Sequence, residues 1–99
     1  MKRIKIKYTK GDEVKFISHR NLMQVFQRAI RRADLPVVYS QGFNPHMRIS
    51  WGNALKVGRS SMDERAVVQF EENIKPHEVM AKLNKELPRG IEILEAFLV

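Results

Sequence analysis

Apolar and polar residues alternate over 3–8. Ile4, Ile6 and Tyr8 fall on one side, and Arg3, Lys5 and Lys7 on the other. A period of two marks a half-buried strand, so the pattern predicts β-structure here. Lys10, Gly11 and Asp12 read as a turn. Residues 14–17 read as a second short extended piece, with Val14 and Phe16 on one face. The period then changes. Leu22, Met23, Val25, Phe26, Ala29, Ile30 and Ala33 form a helical stripe, and Arg20, Gln24, Gln27, Arg28, Arg31 and Arg32 occupy the other side. Ser18 suits the N-cap of a helix over 19–33. Pro36 stops that helix by disfavouring helical geometry at Leu35.

Short strands are expected at 37–40 and at 47–51, the latter with Met47, Ile49 and Trp51 on one face. Residues 52–63 read as a long loop containing Gly52 and Gly58. A strand over 65–71 follows, with Ala66, Val68 and Phe70 on one face. Pro76 suits the first position of a second helix, and Glu78 lies near its positive end. Val79, Met80, Leu83 and Leu87 form its buried stripe, Pro88 and Gly90 end it, and 91–99 read as the last strand. The order is βαββαβ. It predicts an α+β protein, a ferredoxin-like sandwich in which two helices cover one face of an antiparallel sheet. Residues 1–99 form one domain, with no internal repeat, linker or low-complexity run. The apolar ending AFLV either finishes in the sheet or leads into a longer parent protein.

Composition narrows the chemistry. There is no cysteine, which excludes disulfides, thiolate metal sites and a cysteine nucleophile. No run approaches the roughly 18 apolar residues of a membrane span. The alternating N-terminus lacks the apolar centre of a signal peptide, so a cytoplasmic location is expected. The net charge is +7, unevenly spread: residues 1–65 carry +9 and residues 66–99 carry −2. A basic half beside a slightly acidic half points to one surface that faces a polyanion.

Two cationic strips stand out. Arg3, Lys5 and Lys7 share the strand side that the helices do not need, where a row of cations can track a phosphate backbone. Lysines there also discourage strand-to-strand aggregation. Arg20, Arg28, Arg31 and Arg32 line the polar side of the first helix, and the guanidinium fork suits phosphate. Between the two short strands lies Gly42-Phe43-Asn44-Pro45-His46, with Tyr39 before it and Arg48 and Trp51 after it. An ordinary hairpin would use polar residues there. Gly42 permits positive φ and Pro45 stiffens the turn. Phe43 is expected to pack into the core, as large aromatics usually do. If presented outward, the loop offers what unpaired RNA needs, rings beside cations. His19 and His77 open the two helices, and His19 with His46 is the candidate acid–base pair for metal-independent RNA cleavage. The three histidines lack zinc-ligand spacing, and there is no phosphate-binding loop, dinucleotide fingerprint or nucleophile elbow.

The segment KFISHRNLMQVFQRAIRRADLPVVYSQGFNPHMRIS resembles the signature of the radical-SAM-linked domain. This bacterial domain of unknown function is often appended to cobalamin-binding radical-SAM proteins and is also found alone. The likeness runs over 15–58. Phe16, Ser18, His19, Phe26, Arg28, Arg31, Arg32, Tyr39, Ser40, Gly42, Phe43, Asn44, Pro45 and His46 fall where that family has them. Two departures matter. Arg20-Asn21 replaces a typical Leu-Asp, which removes a carboxylate partner for His19, and Met47 replaces a usual proline. Family members are usually longer, which implies a missing second half or a naturally short version.

The resemblance implies a radical-SAM partner enzyme. This chain lacks the cysteines to hold an iron–sulfur cluster and is expected to carry no cofactor or metal itself. The expected function is a non-catalytic module that binds RNA, or presents it, for that enzyme. Arg3, Lys5, Lys7, Arg28, Arg31, Arg32 and Arg48 would hold phosphates, and Tyr39, Gly42, Phe43, Asn44, Pro45 and His46 would contact bases or the partner. The alternatives are a ribonuclease using His19 and His46, suggested by similarity to ferredoxin-like RNA-processing proteins of CRISPR systems, and an adaptor whose 42–46 loop docks on the radical-SAM enzyme.

Overall fold

A computed structural model describes residues 2–52, 61–71 and 74–99. The elements are β1 (Lys2–Lys10), α1 (His19–Arg32), β2 (Ile49–Trp51), β3 (Ser61–Phe70), α2 (Pro76–Glu86) and β4 (Ile93–Leu98). The sheet order is β2-β3-β1-β4 with every pair antiparallel, the ferredoxin-like arrangement that the alternation predicts. One sheet face carries Ile4, Ile6, Tyr8, Ala66, Val68, Phe70 and Ile93. They pack against Leu22, Phe26, Ala29 and Ile30 of α1 and Val79 and Leu83 of α2. Burying this apolar area is the main drive to fold.

Local chemistry sets the helix ends. The Ser18 hydroxyl accepts the Asn21 N–H (3.1 Å), satisfying one free donor of the first turn. At the other end Asp34 takes φ +56°, its N–H donates to Arg31 O (3.1 Å), and Leu35 N–H reaches Ile30 O (3.2 Å). That pair of bonds closes the helix in the Schellman manner, with aspartate in the left-handed slot that glycine usually fills. Helix α2 begins on Pro76, and Lys82 pairs with Glu78 (3.2 Å). Asn84 ties α2 to β4 in both directions: its Nδ2 donates to Ile93 O (3.1 Å) and its Oδ1 accepts Ile93 N–H (2.7 Å).

Four local expectations are corrected. Strand β1 does not turn at Lys10. Its buried side runs Ile4, Ile6, Tyr8, Lys10, and Lys10 is 2% exposed. Residues 14–17 are not extended, because a short 3-10 turn (Asp12–Val14) intervenes and Phe16 is 71% exposed with the Lys15 ammonium over its ring. Residues 37–40 make single bridges, Val37 to Phe70 and Tyr39 to Met47, rather than a strand. Ile49 N–H donates back to Met47 O (3.0 Å), a three-residue turn that kinks the chain at Arg48 and shortens the expected 47–51 strand to β2. Most of the predicted 52–63 loop lies outside the described residues, and β3 already begins at Ser61.

Candidate nucleic-acid interface

The sheet face turned away from the helices follows from the register. Arg3, Lys5 and Lys7 stand opposite Gln69, Val67 and Arg65 of β3. Lys5 and Lys7 also stand opposite Phe97 and Glu95 of β4, and Ser50 of β2 opposite Val67. Residues directly opposite share a face. This face therefore presents Arg3, Lys5, Lys7, Arg65 and Phe97 together, with Glu95 and Asp63 as its acids. Arg65 Nε donates to Asp63 Oδ1 (3.0 Å), and this bond holds Asp63 below the usual carboxylate range, with Lys7 and Lys5 adding to the effect. Among the described residues, Arg3, Lys5 and Lys7 have no acidic oxygen within 4.0 Å.

Three depressions cross this face in a line. The first, small, lies between Lys5, Lys7, Arg65, Glu95 and Phe97. The next, about 300 Å³, is bordered by Lys5, Ser50, Trp51, Gly52, Arg65 and Val67. The last, about 360 Å³, is bordered by Ser40, His46, Arg48, Ser50 and Gln69. Lys5 joins the first two and Ser50 the last two. The line runs from Phe97 on β4 to the 38–48 hairpin, and Arg48 stands at its hairpin end.

The hairpin is braced at its base. Arg48 N–H donates to Val38 O (2.8 Å), and Ser40 N–H to His46 O (2.8 Å). The Ser40 hydroxyl accepts His46 N–H (3.0 Å) and lies 3.3 Å from His46 Nδ1, which is 3.2 Å from Asn44 O. Gly42 takes φ +122°, open to glycine. Phe43 does not plug the core as expected; it is fully exposed at the tip, and Tyr39 is partly exposed below it.

The seven expected phosphate contacts divide. Arg3, Lys5, Lys7 and Arg48 share the open sheet face. Arg28, Arg31 and Arg32 stand on the outer side of α1, in the layer that covers the opposite face, and Arg28 and Arg32 border a separate cleft of about 290 Å³ with Glu86 and Pro88. Arg65 and Phe97 belong to the open face although sequence reasoning missed them. The signal was present: Ala66, Val68 and Phe70 face the core, so Arg65 must face away.

Among the described residues, none of these clefts is bordered by both His19 and His46. His46 borders the hairpin cleft, which does not include His19. His19 meets the Trp51 ring edge-on at 5.7 Å, on the core side of the sheet. Nearby is a polar end to the core that sequence reasoning also missed. Lys10 Nζ donates to Ile17 O (3.4 Å), and Glu64 stands opposite Tyr8. Burial pushes the Glu64 carboxyl up, Lys10 opposes this, Asp63 reinforces it and His19 opposes it. Burial, with Glu64 adding, pushes the Tyr8 phenol far above its ordinary value. Among the described residues no group of three or more His, Asp or Glu side chains is placed to hold a metal, and no helix is long and apolar enough to cross a membrane.

The fold and this face define an α+β module with a basic sheet face that neither described helix covers. The chain belongs to the family described as uncharacterized protein conserved in bacteria (DUF2344), which matches residues 3–99. Among curated proteins, none matches the chain.

Proposed function

We propose that the chain is a non-catalytic RNA-binding module whose open sheet face holds the phosphate backbone. The observation that carries this reading is the alignment of Arg3, Lys5, Lys7 and Arg48 on one uncovered face, without an ion pair among the described residues. Unpaired cations can exchange their counterions for phosphates, which is the main source of sequence-independent affinity. Four-stranded sheets of this layout bind single-stranded RNA by stacking bases on aromatic side chains. Here Phe97 is the one aromatic that strand register places on the open face among the described residues, and Trp51 borders one of its clefts. The face is therefore suited to gripping a backbone more than to reading a sequence.

The partner that such a module would serve is a radical-SAM enzyme, as the likeness of residues 15–58 implies. The chain has no cysteine to hold a cluster of its own, so it would position RNA while the partner supplies the radical chemistry. The ribonuclease reading has less behind it, since His19 packs on Trp51 and His46 borders a different surface.

A fluorescence-anisotropy titration against short structured RNAs at two salt concentrations tests the reading. Binding that weakens steeply with salt is the expected result. Absence of binding at low salt, or affinity indifferent to salt, would overturn it.

A further inference from the structure

Phe43 is an anomaly for a folded chain. It is fully exposed, so its ring contributes nothing to the core, yet the loop that carries it is held by four contacts between Ser40, Asn44 and His46. The Asn44 carbonyl oxygen and the Ser40 hydroxyl both lie within 3.3 Å of His46 Nδ1, which fixes the imidazole beneath the tip. The loop thus lifts one flat ring clear of the surface. Its immediate neighbours Gln41, Gly42, Asn44 and His46 are polar or lack a side chain, and Pro45 is exposed with them. A protein-docking anchor sits instead within a ring of near-neutral contacts that exclude water. A base needs only the π-face, with a cation nearby for the adjoining phosphate. Arg48 supplies that cation at the hairpin base, where the cleft opens toward Ser50 and Gln69.

We propose that the 38–48 hairpin is a base-stacking finger with Phe43 at its tip, and that it selects RNA carrying an unpaired base beside the segment held on the sheet. This rests on the RNA-binding reading above and adds to it a substrate class. The sheet grips any phosphate backbone, whereas the finger engages only a base free to leave its stack. A fully paired duplex offers the cations the same charge and offers Phe43 nothing.

The test uses the whole chain as wild type, Phe43→Ala, Phe43→Leu and Phe43→Trp. The probes are a single-stranded RNA carrying 2-aminopurine and the same strand fully paired. Wild type should bind the single strand more tightly than the duplex and change the 2-aminopurine emission. Phe43→Ala and Phe43→Leu should lose about 5- to 140-fold on the single strand, the range for one stacked base. They should leave duplex binding and the emission of bound RNA unchanged, and Phe43→Trp should retain both wild-type properties. Salt-dependent binding that is equal for wild type and Phe43→Ala would overturn the finger while leaving the sheet reading intact. Full retention by Phe43→Leu would also overturn it, because an apolar wedge needs no ring. No RNA binding by any variant at low salt would overturn both.

Discussion

Lys10 donates from its ammonium to the carbonyl oxygen of Ile17 at 3.4 Å, and its side chain is almost wholly enclosed. The relationship links the end of β1 to the residue before the α1 cap. One long hydrogen bond satisfies little of a buried ammonium, which has three donors. Burying a charge without a close counter-ion is unfavourable, so apolar replacements of similar shape are tolerated or stabilising. Lys10→Met should therefore melt no lower than wild type. Lys10→Ala removes the buried stem as well and should lose about 2–3 kcal/mol. Thermal denaturation of the two variants checks both statements.

Glu64 gives a pH dependence with a definite sign. Its carboxyl is raised above the ordinary value, mainly by burial, so the folded state holds the proton more tightly than the unfolded state does. The stability it contributes is present in acid and is lost as pH rises through the raised value. Glu64→Gln removes that loss. The variant should gain on wild type as pH rises above the ordinary glutamate range, read as the shift in urea midpoint. Lys10 opposes the shift, so Lys10→Met should enlarge the wild-type pH dependence, and the two substitutions should not be additive.

The separation of the two cationic strips yields a contrast within one experiment. Lys5→Ala and Lys7→Ala should each weaken RNA binding severalfold. Each should also flatten the dependence of log affinity on log salt by about 0.7, the value for one phosphate on a single strand. Arg31→Ala, on the layer that covers the opposite face, should change neither. Equal losses for all three would mean that the RNA wraps the whole sandwich.

Much of this was legible in the chain. The two periods, two in β1 and 3.6 in α1, predict the layers because each period dictates which side chains meet the core. Lys10 was misread because a lysine before glycine looks like a turn, although the run Ile4, Ile6, Tyr8 extends to it by simple alternation. The opposition of the two cation strips follows only from which sheet face the helices cover. Phe43 was expected inside because an isolated aromatic carries no local signal of exposure. Its position depends on Ser40 and His46 closing the loop beneath it, a contact between side chains six residues apart.

Asp34 shows the same limit at one residue. Pro36 announces the end of α1, but the stop itself is Asp34 at φ +56°. A non-glycine residue in this region carries a strain of about 1 kcal/mol. Asp34→Gly should therefore raise stability by about 0.5–1 kcal/mol, measured by urea denaturation, without altering RNA affinity.

Trp51 is the sole tryptophan. Its indole, on β2, meets Phe26 at 5.4 Å and His19 at 5.7 Å from α1, and Tyr8 at 6.4 Å from β1. Three rings from two other elements thus surround one chromophore, in edge-to-face geometries that a loosened core would not hold. The molecule carries its own spectroscopic gauge: near-ultraviolet dichroism and Trp51 emission register how α1 seats on the sheet. Phe43 lies outside that cluster, whereas Trp51 also borders the cleft between Lys5 and Arg65 on the basic face, so the same indole registers both helix seating and what enters that cleft.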